Sequence, residues 1–295
     1  MGSAIPLHDE RQAPVHRDSL HPMQRRLVLT LPLLATLPAR ASPSTALSSV
    51  QVLKPPLAMP GLNRQRTLRL CLPPSYASEP GKRYPVIYMH DGQNLFDAAT
   101  GYAGEWGVDE TMAQLAKATG FEALVVGIDN GGEKRNTEMA PVDHAQLGKA
   151  EGAAYLDFIV KTVKPFIDAG WRTRPGREHT ALIGSSLGGL ISHAALLWHG
   201  EVFGRYGLFS PSYWAAPQLF DDTAKARLPA GTRIHLYCGA REGGSMAGQT
   251  RRMHKLLTRQ LPPEQLSLHI ASEAEHNEAA WRAELPGVLT QLFRP

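Results

Sequence analysis

Thr180-Ala181-Leu182-Ile183-Gly184-Ser185-Ser186-Leu187-Gly188-Gly189-Leu190-Ile191 is the stretch that decides the fold. Its first four residues form a short, mostly apolar run, the pattern of a buried strand. Beyond it, Leu187, Leu190, Ile191 and Ala194 recur at helical spacing as far as Trp198. Between strand and helix lies Gly184-Ser185-Ser186-Leu187-Gly188, a G-x-S-x-G pentapeptide in the strand–turn–helix context that gives this motif its mechanism. A chain reversing within so few atoms holds its central serine in a strained backbone conformation. Cβ atoms at Gly184 and Gly188 would meet the neighbouring strand or helix, so glycine is expected at both. Ser186 Oγ is then lifted above the carboxyl end of a sheet, and the Leu187 N–H at the helix N-terminus can donate to an oxyanion. Ser185 also neighbours a glycine, but only Ser186 is centred between glycines at the required spacing.

Working outward, Arg64–Leu72 alternates as a strand, and Pro85–Met89 and Ala123–Ile128 are apolar runs expected to be buried strands. Arg205–Phe209, Arg233–Tyr237 and Leu266–Ala271 read as further strands. Helical spacing covers Trp106–Ala118, Ala153–Ala169 (with Pro165 expected to kink its last turn), roughly 246–260, and Glu278–Phe293. Residues 129–150 form a long polar loop, a length usually reserved for function or disorder. Strands alternating with helices predict an α/β protein with a mainly parallel central sheet and helices on both faces. With the elbow motif this becomes the α/β-hydrolase fold. No internal repeat is visible, and no second domain is required.

That fold orders its catalytic residues as Ser, acid, His. His276 follows the last strand and precedes the last helix, where the base is expected. His269 lies inside a strand, His193 and His199 lie on or at the end of the elbow helix, and His254 sits on another helix. The acid should follow the preceding strand, which points to Glu242, with Glu273 and Glu275 as rivals. Adjacent Arg241 offers Glu242 a plainer role in a surface ion pair. The strand at Val86–Met89 runs into His90-Asp91-Gly92-Gln93, where a glycine turn would place the second oxyanion donor on the Gln93 N–H. Asp91-Gly92 could equally be a simple tight turn.

These and other residues, in order, carry a resemblance: Tyr84-Pro85-Val86, His90–Gln93, Trp106 with Asp109 and Glu110, Gly127-Ile128-Asp129, Arg135 with Glu138 and Pro141, Gly184–Gly189, Ser210-Pro211-Ser212 with Trp214, and Glu275-His276 with Trp281. Over about residues 50–293 the chain resembles the esterase family of α/β hydrolases. That family includes enterochelin esterases, feruloyl and acetyl-xylan esterases, S-formylglutathione hydrolase and the mycolyltransferases. The resemblance implies a serine carboxylic-ester hydrolase with no metal or cofactor, acting on a small-molecule or carbohydrate ester. It supports Ser186 and His276 strongly and Glu242 less, because members vary at the acid. Asp91, Trp106, Arg135 and Trp214 are the candidate substrate-binding residues. Arg135 either faces the pocket, to meet an anionic or catecholate group, or pairs with Glu138; Trp214 either lines the acyl pocket or packs. Met139 stands where the family usually has an aromatic. A siderophore lactone or an acylated sugar is the expected substrate, with an acyltransferase using the same triad, or a silent binding protein on the same fold, as alternatives.

The first 41 residues read differently from the rest. Arg25-Arg26, the uncharged Leu27–Pro38 run and Ala39-Arg40-Ala41 follow the order of a secretory signal peptide. The apolar run is too short for a stable membrane anchor, and Pro32 and Pro38 interrupt it. The expectation is an exported protein, periplasmic or secreted, divided as 1–41 extension and signal peptide, 42–63 linker and edge segment, and 64–295 catalytic domain. Met23 is an alternative start. Removal of residues 1–41 takes away five Lys/Arg and three Asp/Glu, lowering the formal net charge from +4 to +2. With no basic run interleaved with aromatics, nucleic acid is not an expected partner. Cys71 and Cys238 fall in strands placed far apart, so free buried thiols are expected rather than a disulfide or metal site.

Overall fold

A computed structural model of the chain describes residues 43–102 and 104–294. The expected signal peptide lies outside the described residues. Among the described residues ten strands form in chain order: β1 (Val50–Val52), β2 (Leu57–Met59), β3 (Arg64–Arg66), β4 (Leu68–Cys71), β5 (Val86–His90), β6 (Leu124–Ile128), β7 (Thr180–Ser185), β8 (Arg205–Phe209), β9 (Arg233–Gly239) and β10 (Leu266–Ala271). Eight make one sheet, ordered β1-β4-β6-β5-β7-β8-β9-β10. The run from β6 to β10 is parallel throughout, and β4 pairs antiparallel with both β1 and β6. The stretch Arg64–Leu72, read as one strand, divides: β3 pairs with β2 in a separate hairpin while β4 joins the main sheet.

The central strands are buried on both faces, so they are continuous apolar runs rather than alternations. Their side chains still divide with period two. Val86 and Tyr88 of β5 enter one core, and Ile87 and Met89 enter the other. Helices α1 (Val108–Thr119) and α8 (Glu278–Phe293) cover the second face. The first is covered by α3 (Gly152–Phe158), α4 (Lys164–Gly170), α5 (Leu187–Trp198), α6 (Leu219–Lys225) and α7 (Met246–Leu257). Helices α3 and α4 are joined through a π turn at Ile159–Val163, so the irregularity expected at Pro165 falls on the turn before it. That placement follows from proline, which cannot donate to the carbonyl one turn back.

The expected loop at residues 129–150 contains the short helix α2 (Arg135–Glu138) and is pinned by ion pairs. Arg66, itself buried, reaches Glu138 at 2.6 Å, and Arg64 bridges Glu138 and Glu151 at 2.9 and 2.8 Å. Met139 is in the main core, not on a binding surface. Cys71 and Cys238 are free and buried, and burial pushes both thiols up to about 12. No helix among the described residues is long and apolar enough to cross a membrane.

The order of the sheet locates the site. From β5 the chain goes to β6 on one side and then to β7 on the other. Such a reversal opens a crevice beyond the carboxyl ends of the strands, because the two connecting segments leave in opposite directions. His90, Asp129 and Ser186 all lie at that edge.

Candidate active site

Ser186 has φ 58° and ψ −121°, a conformation that costs an L-residue about 1–3 kcal/mol and is held by its surroundings. Its N–H donates to Phe209 O (2.9 Å) and its carbonyl accepts from Ser212 and Leu190 N–H (3.1 and 3.0 Å), so strand and helix both clamp it. Of the elbow glycines, Gly184 is obligatory: a Cβ there would lie 2.7 Å from the Gly188 carbonyl and from the His90 ring. Gly188 is less demanding than the motif suggests, since a Cβ there would come no nearer than 3.3 Å, to His90 Cβ. The closer approach falls on Gly189, where a Cβ would meet Phe209 O at 2.8 Å. Asp91 (φ 56°) and Ser210 (φ 44°) are also left-handed, so three of the four described non-glycine residues with positive φ surround this one site.

His276 lies between β10 and α8, and its Nδ1–H donates to Glu242 Oε2 at 2.9 Å. The Glu242 side chain is fully buried, while that of His276 is 32% exposed. The other Glu242 oxygen accepts from Ser210 Oγ and from Gly239 N–H, both at 2.5 Å. Burial pushes this carboxyl up, but the hydrogen bonds from His276, Ser210 and Gly239 outweigh it and hold the group below the usual carboxylate range. Arg241 pairs with Glu273 instead, so the surface ion pair considered for Glu242 belongs to its rival. Trp281 stacks perpendicular to the His276 ring at 5.0 Å, and its Nε1–H donates to Ser210 Oγ at 3.0 Å.

Ser186 and His276 open onto a cavity of about 680 Å³ that Asp91, Gln93, Asn130, Arg135 and Glu278 also line. Ser186 Oγ is hydrogen-bonded to Ser212 Oγ at 3.2 Å. The Gln93 backbone is fixed by its own side chain, which accepts from Asn130 N–H (2.9 Å) and donates to Asn130 Oδ1 (3.2 Å). Asp91 and Arg135 form a two-pronged pair at 2.6 and 2.8 Å, with Asn130 Nδ2 donating a third bond to Asp91. Burial raises the Asp91 carboxyl, but the Arg135 charge and these bonds prevail and keep it low; the same pairing raises Arg135 despite its own burial. Arg135 therefore both faces the cavity and pairs, with Asp91 rather than the Glu138 considered from sequence.

Two candidate residues stand apart from the cavity lining. Trp106 is buried among aromatic rings, 4.9 Å from Phe209 and 5.6 Å from Trp281, and supports the site from below. Trp214 is 41% exposed and packs on His144 at 5.4 Å. Leu187 begins α5, as the elbow requires. Sequence reasoning missed Glu278 and Asn130 as lining residues and Ser212 as a neighbour of Ser186. A signal existed for Glu278, because Asn277 caps α8 through Ala280 N–H and sets Glu278 in its first turn. Two other histidines are occupied: His90 bridges Tyr155 and Ser192, His193 bridges Tyr213 and Thr223, and burial lowers them to about 4 and about 3.

Residues 60–292 match the family described as "Putative esterase". The chain belongs to this esterase family. It is a carboxylic ester hydrolase on an α/β-hydrolase fold. It is 29% identical to the uncharacterized protein YbbA of Bacillus subtilis over 245 residues, which cover 77% of this chain and 92% of YbbA. It is 32% identical to the siderophore triacetylfusarinine C esterase of Aspergillus fumigatus over 137 residues, 44% of each chain. Among solved structures, the enterobactin esterase of Shigella flexneri superposes with a TM-score of 0.68 at 19% identity, covering 85% of this chain and 61% of that one. The chain thus spans less than two thirds of both named siderophore esterases.

Proposed function

We propose that this esterase works through an acyl-serine, with Ser186 as nucleophile, His276 as general base and acid, and Glu242 as the carboxylate that holds the imidazole. The observation carrying this reading is that a strained elbow serine and a histidine bonded to a buried carboxylate open onto the same cavity. On substrate binding Ser186 Oγ exchanges its bond to Ser212 for one to His276 Nε2, since catalytic hydrogen bonds often tighten only with substrate present. Ser186 Oγ then attacks the ester carbonyl carbon as its proton passes to Nε2. The backbone N–H groups of Leu187 and Gln93 receive the oxyanion, each worth about 3 kcal/mol by precedent. Collapse breaks the bond to the leaving alcohol, which takes the proton from Nε2. Water repeats the sequence, and the free acid and Ser186 are restored.

Charged and amide groups mark the substrate side. Arg135, Asn130 and Glu278 face a space larger than an acetyl group needs, which favours a substituted acyl or lactone substrate over a simple acetyl ester. A siderophore lactone or an acylated carbohydrate fits this chemistry, and the siderophore esterases among its relatives give the first its precedence. The basic–apolar–A-x-A leader supports export to the periplasm or medium; an exported protein whose N-terminus still begins before Ala41 would overturn that part.

The test is hydrolysis of short-chain p-nitrophenyl esters, then of triscatecholate lactones and feruloyl sugars, by wild type and Ser186→Ala. Loss of turnover with unchanged melting is the expected result. An alanine variant with wild-type turnover would sink the assignment, and transfer to an added sugar in preference to water would make the protein an acyltransferase.

A further inference from the structure

Glu242, His276, Ser210 and Trp281 form a closed ring of contacts. Glu242 holds His276, Ser210 holds Glu242, Trp281 holds Ser210, and Trp281 packs edge to face with His276. The direction of each bond follows from donor chemistry. An indole N–H can only donate, so Ser210 Oγ must accept from Trp281. The single hydroxyl proton of Ser210 is then committed to Glu242 Oε1, and its 2.5 Å length is that of a charge-assisted O–H to carboxylate bond. With Oε1 filled by Ser210 and by Gly239 N–H, only Oε2 remains for His276 Nδ1–H.

The backbone shows the same commitment. Ser210 is held at φ 44° with its N–H bonded to Tyr237 O at 2.7 Å, and it is completely buried, so the hydroxyl has no access to water. A non-glycine residue in the left-handed region costs energy that surrounding structure must offset. Trp281 arrives from the first turns of α8, where its N–H bonds to Asn277 O, and it is wedged between Trp106 and the His276 ring. The helix start that follows His276 thus returns to hold the acid that orients it.

We propose that Ser210 and Trp281 are positioning residues of this esterase, a hydroxyl–indole relay that fixes the rotamer of Glu242 and, through it and by ring contact, the plane of His276. The proposal rests on the Ser–His–Glu reading above. It goes beyond that reading because neither residue touches the reacting atoms through its hydrogen bonds.

The experiment compares full-length wild type, Trp281→Phe, Ser210→Ala and the double variant. Active sites are titrated with a fluorophosphonate, melting is recorded, and kcat and KM are measured across pH. Phenylalanine keeps an aromatic ring against His276 and the cavity but removes the N–H. Ser210→Ala, which removes a hydrogen bond to a charged group, is expected to lose about tenfold or more in kcat per titrated site, and Trp281→Phe, which removes a neutral one, about three- to tenfold, with KM within about twofold in both. The double variant should lose little more than Ser210→Ala alone, because the indole N–H acts only through the hydroxyl and phenylalanine keeps the ring contact. The acidic limb of the kcat/KM profile should also move in Ser210→Ala, as Glu242 loses one of its charge-stabilising donors. Unchanged kcat per titrated site in both single variants, or losses that multiply in the double variant, would overturn the relay while leaving the triad intact. A wild type inert to both ester and fluorophosphonate would overturn the triad, and the relay with it. Lowered melting with unaltered kcat and pH profile would make both residues structural only, which also refutes the proposal.

Discussion

Glu242→Gln separates charge from shape in this site. The amide oxygen can replace Oε1, still accepting from Ser210 and Gly239 N–H, so the side chain stays anchored where Glu242 now lies. The amide nitrogen then faces His276 Nδ1 at the 2.9 Å position now filled by Oε2. Two donors cannot face one another, so the imidazole must move its proton to Nε2 and present a lone pair at Nδ1. The nitrogen meant to accept the Ser186 proton is then already protonated. In the template serine triad this wrong-tautomer substitution costs about 10,000-fold in kcat, or about 5.5 kcal/mol, and a loss of that order is expected here. Stability should respond in a defined pH range. The folded carboxyl titrates below its unfolded value, so its contribution is present above the unfolded pKa near 4.3 and fades as pH falls through the folded one. Glutamine removes that contribution, and the stability difference between variant and wild type should shrink in acid. The assay is single-turnover acylation with a p-nitrophenyl ester, normalised to sites titrated by fluorophosphonate, beside urea melts at several pH values. A variant retaining more than about a tenth of wild-type acylation would refute the tautomer argument, because a correctly oriented base would then exist without the carboxylate.

Two further outcomes follow from the geometry around the site. Ser212→Ala removes the bond that holds Ser186 Oγ at 3.2 Å, so acylation by a fluorophosphonate should rise by up to about threefold, the scale of one neutral hydrogen bond; a fall beyond about tenfold would instead place Ser212 among the groups that stabilise the transition state. Asp109 is raised to about 7 by burial, with Glu110 beside it adding to the effect. Because the folded state binds the proton more tightly, this contribution to stability is full below the unfolded pKa and is lost as pH rises through about 7. Asp109→Asn should therefore flatten the decline in melting temperature between about pH 4 and pH 7, and an unchanged slope there would remove Asp109 as its cause.

The reach of sequence reasoning varied with how local each feature is. Gly184-Ser185-Ser186-Leu187-Gly188 was legible because an elbow is a short-range object: five residues contain both the strain and its relief. The parallel strands were legible because a strand covered on both faces must be an apolar run, as Leu124–Ile128 is. The division of Arg64–Leu72 into β3 and β4 was not, since one alternating pattern serves two sheets equally well.

His276 could be placed from sequence by the order Ser, acid, His, a rule that sheet topology imposes and chain position expresses. Partner choice could not be read in the same way. Arg135 lies next to Glu138 on one short helix yet bonds to Asp91, 44 positions away, because Arg64 and Arg66 already occupy Glu138. Likewise Trp106 carries a family motif but packs beneath the cavity, and Glu278 lines it without any motif. Charges that look scattered along the chain also gather in space: Lys82, Arg83, Arg174, Arg205, Arg233 and Arg294 line one cavity of about 450 Å³ together with Glu122 and Glu178. The sequence by itself determined the central strands, most of the helices, the elbow and the chain order of the proposed catalytic groups, because these are written in short-range patterns and in position along the chain. Only the tertiary structure decided who bonds to whom across the crevice, because hydrogen bonds are short and competitive, and their donors and acceptors come from segments that meet only once the sheet has closed its order.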